Sequence, residues 1–108
     1  MNDDLAGALR ERVAIEAWVD GRDDAAAMAG YWQARGSVFA AVVPDGNGMA
    51  EGDARRTRRR WRVTLRQPID VRLTSRLIWA SHILAVLAVE MDPRQPDRLV
   101  LRCEAREA

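Results

Sequence analysis

The sequence predicts a mostly β chain: a small barrel or sandwich of about six strands, with one long loop between the second and third strands and little helix. Three observations carry this. Apolar and polar residues alternate with period 2 over several short runs. Asp, Gly, Asn and Pro punctuate those runs as turn formers. Residues 45–62 break the pattern: Gly46, Gly48 and Gly52 stand near Asp45 and Asp53, and six arginines fill eight positions from Arg55 to Arg62. That stretch has no apolar face to bury and reads as a long loop, over 45–60, between two patterned segments.

The first run is residues 9–19. Val13, Ile15, Ala17 and Val19 share one face, and Arg12, Glu16 and Trp18 share the other. Asp20-Gly21 signals a turn. Residues 22–30 fit a loop or a single helical turn stopped by Gly30. The second run, 31–43, places Trp32, Ala34, Val38, Ala40 and Val42 on one face. Gly36 within it marks a bulge or bend, and Pro44 ends it. After the loop, Trp61, Val63 and Leu65 alternate with Arg62, Thr64 and Arg66. Arg58 and Arg60 join that polar face if the strand starts early. Pro68 breaks the run, and Ile69, Val71 and Leu73 alternate again. Residues 77–90 are nearly continuous apolar sequence, which periodicity cannot type. Leu and Ala favour helix there, while the β-branched residues and Trp79 favour strand. Two strands broken near Ala80-Ser81, the second buried on both faces, are the expectation. Residues 92–97 form a turn. Leu99, Leu101, Cys103 and Ala105 alternate in a closing strand.

The 108 residues suit one domain, 1–108, with one modest core. Net charge is +1, so the basic residues are a local element and not a general nucleic-acid coat. All of the basic residues are arginine, which matches a GC-rich coding sequence and weakens any case that each was selected for bidentate chemistry. A single cysteine excludes an intrachain disulfide. The acidic start, Asn2-Asp3-Asp4, does not resemble a signal peptide. The longest apolar stretch is too short and too polar to span a bilayer, so no membrane partner is expected.

No catalytic constellation is visible, and no enzyme activity, metal or cofactor is expected. His82 is the only histidine and reads as a hydrogen-bonded or partly exposed strand residue. Cys103 alternates inward, as a small core residue and not a nucleophile. One His and one Cys do not make a usual zinc site, and the loop glycines lack a phosphate-binding context. Trp32, Trp61 and Trp79 fall on apolar strand faces and are expected in the core. Trp18 lies opposite Val13 and Ile15 and is a candidate interface residue. Arg55, Arg56, Arg58, Arg59 and Arg60 read either as a solvated loop and strand face or as phosphate contacts. Nothing in the chain reads bases, so any DNA contact is independent of sequence.

The order of these segments resembles the head–tail joining proteins of tailed phages, also called stoppers, connectors or head-completion proteins. Residues 7–16 (Gly7-Ala8-Leu9-Arg10-Glu11-Arg12-Val13-Ala14-Ile15-Glu16) are similar to the family's opening Leu-Arg-x-Arg-Val strand. Residues 31–44, from Tyr31-Trp32 to Val43-Pro44, resemble its Trp-containing strand before a variable loop. Trp61-Arg62-Val63-Thr64-Leu65-Arg66 is like the strand that resumes the barrel. Arg76-Leu77-Ile78-Trp79 and His82-Ile83-Leu84-Ala85-Val86 are like the next hairpin, with Ala80-Ser81 in place of a glycine-containing tip. Leu99 to Glu104 resembles the closing strand.

The resemblance implies a barrel assembled as a homo-oligomeric ring, expected to be a hexamer, in the neck of a phage or gene-transfer-agent particle put together in the bacterial cytoplasm. Its implied neighbours are a portal-proximal adaptor and a tail terminator, docked through exposed strand edges and termini. The loop at 45–60 would project towards packaged double-stranded DNA. A sequence-independent nucleic-acid-binding barrel of the OB or Sm-like type is the alternative.

Overall fold

The computed structural model describes residues 5–21, 29–46 and 59–106. After a one-turn helix, α1 (Leu5–Ala8), come six strands: β1 (Glu11–Asp20), β2 (Gly30–Pro44), β3 (Arg60–Arg66), β4 (Ser75–Trp79), β5 (His82–Glu90) and β6 (Arg98–Arg106). They close into an antiparallel barrel in the order β1-β2-β3-β6-β5-β4. The period-2 runs become one inward row per strand: Val13 and Ile15, Ala40, Val63 and Leu65, Leu77, Leu84 and Val86, and Leu99, Leu101 and Cys103 are all buried. Each large aliphatic side chain withdrawn from water contributes roughly 1.5–3 kcal/mol. The expected break at 80–81 separates β4 from β5, and Ala80 takes the left-handed φ of 55° that a glycine would otherwise supply.

Three expectations change. Residues 69–73 form no strand. Their backbone is spent locally: the Ile69 amide donates to Gln67 Oε1, the Arg72 amide to Ser75 Oγ and the Ser75 amide to the Arg72 carbonyl. The segment still lays Val71 on the core, with Ile69 packed beside it, while Leu73 is exposed. The second apolar half of 77–90 is not buried on both faces. A barrel wall has a single covered face, so Leu84 and Val86 point in, and a bulge between Val86 and Ala88 turns Leu87 outward. Trp32 is not a core residue. The ladder between β1 and β2 shifts after Ile15, which faces Gly36, whereas Glu16 faces Ala34. Arg35 is the extra residue, and Gly36 has φ 115°. One inserted residue inverts the faces of everything beyond it, which puts Trp32 outside opposite Trp18.

The barrel leaves few strand edges on offer. β2 pairs with β3 only from Ala40 to Pro44, so among the described residues nothing pairs with the far side of 30–39. The longest docking edge among the described residues is this half of β2, where it runs with β1 as a projecting hairpin; shorter ones lie on β1 beyond Ala17 and on β5 beyond Ala85, where pairing with β4 has ended. The registers also gather the loop ends. The starts of β1, β3 and β5 and the ends of β2, β4 and β6 share one end of the barrel. Trp61 and Trp79 close that end, edge to face with ring centroids 4.8 Å apart, so these two fulfil the expected core role.

Leu101 has no exposed surface and sits mid-wall. Leu101→Ala should cost about 2–5 kcal/mol in urea unfolding followed by tryptophan fluorescence, because a closed interior collapses poorly around a cavity.

Candidate interface surfaces

Two surfaces of the barrel carry the residues singled out by sequence. The first is the stem of the long loop. The Asp45 amide donates to the Arg60 carbonyl (2.9 Å) and the Ala105 amide donates to the Arg59 carbonyl (3.0 Å), tying both ends of the loop to the barrel rim. Arg102 braces the stem from β6, pairing with Asp45 at 3.2 Å and Glu90 at 3.1 Å. The Arg59 guanidinium lies 5.7 Å from the Trp61 ring centroid, a cation–π contact on the aromatic plug. Arg60 is half-buried, and its Nε is sequestered without a partner. The structure thus brings Arg59 and Arg60 together at the barrel end. Arg55, Arg56 and Arg58 lie outside the described residues.

The second surface lies on the outer wall of β1 and β4. Trp18 and Trp32 meet edge to face, 5.2 Å between centroids, and the Trp18 Nε1–H donates to Asp20 Oδ1 at 2.9 Å. Arg76 reaches across from β4, its guanidinium carbon 4.2 Å from the Trp32 centroid and its Nε 2.7 Å from Glu16 Oε1. Both members of that ion pair are about three-quarters covered, so the pair fixes the guanidinium plane against the indole. Beside them runs an open groove of about 660 Å³, lined also by Leu73, Ile83 and Arg106. Trp18 retains 38% of its exposure and Leu73 61%. Sequence reasoning found Trp18 here and missed Trp32 and Arg76. The signal lay in Gly36: a bulge read at that glycine, with its inversion carried through, moves Trp32 to the outer face.

His82 is exposed at the hairpin tip, 5.4 Å from the Trp79 ring. Cys103 is fully buried in the core, and loss of solvation, helped by the charge of Asp45, pushes its thiol up to about 12. Among the described residues, no group of three or more His, Cys, Asp or Glu converges on a metal-sized site.

Two outcomes follow from this geometry. Gly30 has φ 124°, and a Cβ there would lie 2.4 Å from Trp18 Cζ2 and 2.7 Å from the Val19 carbonyl oxygen. Gly30→Ala should displace the Trp18 ring and destabilise the hairpin by about 1–3 kcal/mol, read as a change in near-ultraviolet dichroism and a lower Tm. Cys103 should resist thiol reagents in the native protein and react on unfolding. Its pKa is higher folded than unfolded, so the group adds nothing to pH dependence below about 9. Stability then falls as pH rises from 9 towards 12, because only the unfolded thiol ionises. A urea series over that range checks the sign, with Cys103→Ser as the control.

Comparison with known proteins gives a consistent identity. A family model described as phage head completion protein matches residues 5–107. A chain from the virion of a native gene transfer agent particle is similar in structure, with a TM-score of 0.73, 21% identity, and 93% of this chain and 97% of that chain covered. A protein from Shigella flexneri 2a, known from a solution structure, is similar at a TM-score of 0.71 and 22% identity, covering 92% of this chain and 94% of that one. No curated protein matches. At such identities the two structures speak for the barrel fold, and the family match speaks for the role: this chain belongs to the phage head completion protein family and is a structural component of the phage head–tail apparatus.

Proposed function

We propose that the chain is a head-to-tail connector subunit, a stopper or adaptor, which forms a ring in the neck of a phage or gene-transfer-agent particle between portal and tail. The loop at 45–60 lines or closes the DNA channel. The observation that carries this reading is the stem: Asp45 and Arg60 are tied together at the rim, directly behind the run of arginines. A barrel rim is a rigid base, and fourteen residues between Asp45 and Arg60 reach at most about 25 Å out and back. A hexamer would gather about 30 loop guanidiniums from Arg55, Arg56, Arg58, Arg59 and Arg60 around one duplex, so binding weak for one subunit becomes strong for the ring. Arg59 and Arg60 would act from the rim, and Arg55, Arg56 and Arg58 from further along the loop.

The protein contacts have two supports in the fold. The open side of β2 over 30–39 accepts an extended segment by strand addition. The Trp18–Trp32 groove offers aromatic anchors of the kind that dominate interfaces. The portal-proximal adaptor, the tail terminator and neighbouring copies of this chain are the partners these surfaces would serve.

Electron microscopy of the parent particle should show this barrel as a ring between portal and tail; a neck without it would overturn the reading. In complemented particles, Trp18→Ala should leave the isolated domain folded by far-ultraviolet dichroism while cutting the yield of tailed particles at least tenfold. Unchanged yield would remove Trp18 from the interface.

A further inference from the structure

The wall formed by β3 and β6 carries charge that the loop does not account for. Residues 61, 63 and 65 point inward, so Arg60, Arg62, Thr64 and Arg66 form the outer row of β3. The register sets Arg62 directly opposite Arg102 and Arg66 directly opposite Arg98. Like charges in facing positions are unfavourable in a sheet, yet this wall has two such pairs. Of the nearby acids, Asp45 and Glu90 hold Arg102 and Asp97 holds Arg98 at 3.0 Å, while Glu104 stands opposite Arg60 at the head of the strand. Asp97 also feels the charge of Arg66. Arg62 has no ion pair among the described residues, and both Arg62 and Arg66 are exposed. The result is a row of guanidiniums on a rigid strand, continuous at its head with Arg59 and Arg60.

The closed strand order adds a second fact. In β1-β2-β3-β6-β5-β4, the β3–β6 wall is diametrically opposite the β1–β4 wall with its tryptophan groove. The barrel is therefore two-faced, with excess cationic charge on one side and aromatic surface on the other.

We propose that the outer face of β3, through Arg62 and Arg66, is a second backbone-phosphate surface for duplex DNA, so that this wall faces the DNA and the Trp18–Trp32 wall faces protein. This rests on the reading of the chain as a channel subunit, and it assigns which side of the barrel looks inward. Contact is to phosphate and carries no sequence preference, because a flat row of arginines on a barrel wall enters no groove.

The test is a titration of the full-length, isotope-labelled protein with a short random-sequence duplex. It compares the native protein, Arg62→Ser/Arg66→Ser, and a charge-matched control, Arg12→Ser/Arg35→Ser. Amide shifts on β3 and β6, with little change on β1 and β4, are expected. Each lost phosphate contact should lower the slope of log K against log salt by about 0.9, so the β3 double variant should lose about 1.8 and bind about 60-fold more weakly near 0.1 M salt. The control should keep the native slope. The β3 variant should melt no lower than the native protein, since it relieves two like-charge pairs.

Shifts confined to residues 45–60, with an unchanged slope in the β3 variant, overturn this inference while leaving the loop as the DNA contact. The wall would then belong to an acidic protein surface. Absence of any shift at low salt overturns both DNA contacts, whereas the neck position is judged separately by microscopy.

Discussion

Closure of the barrel is the constraint on which the other features depend. Six strands bury an inward row only if β4 returns to pair with β1, and that seam runs from Val13 opposite Trp79 to Ala17 opposite Ser75. Once it is closed, the interior is a fixed volume filled by Leu65, Leu77, Leu84, Leu101 and their β-branched neighbours. Native packing density leaves little tolerance there. The barrel ends must also be stopped, and at the loop end Trp61 and Trp79 do this with two large rings at one edge-to-face contact. Arg59 then rests on that plug, so the base of the loop and the end of the core are a single structure.

Closure also determines what is left outside. β1 and β2 are longer than the barrel needs, and the surplus projects as a hairpin. The bulge at Arg35 and Gly36 is the joint between the two parts. Below it, β2 obeys the barrel's alternation. Above it the faces of β2 are exchanged, and Trp32 meets Trp18 of β1 and Arg76 of β4 in a cluster on the outer surface. Exposed tryptophan costs solubility unless something covers it, and a virion component is normally covered by its neighbours. The same geometry leaves unpaired strand edge, among the described residues, mainly on the outer half of β2 and on shorter ends of β1 and β5.

The strands and the loop position were legible in the sequence because alternation is a local signal. Val63 and Leu65 against Arg62 and Thr64 need no tertiary information to be read as a half-buried strand. The tip at Ala80-Ser81 rested on a weaker signal, the β-branched residues and Trp79 set against helix-favouring Leu and Ala, because alternation is absent from that apolar run. Residues 69–73 also alternate yet pair with nothing, because backbone hydrogen bonds went to Gln67 and Ser75 side chains nearby. A period-2 pattern records which side chains turn inward; it does not record whether a neighbouring strand is present.

The mostly β class, the strands β1, β2, β3 and β6, the place of the long basic loop and the inward Cys103 follow from side-chain spacing along the chain. Closure of the sheet, the exit of Trp32 from the core, and the facing of Arg62 with Arg102 and of Trp18 with Trp32 come from the assembled barrel alone. These are matters of register between segments far apart in the chain, and a one-residue slip reverses them. The loop that dominates the sequence is tied at both ends to a rigid rim. Its arginines continue onto a wall opposite the aromatic groove, an arrangement that exists only once the barrel is closed.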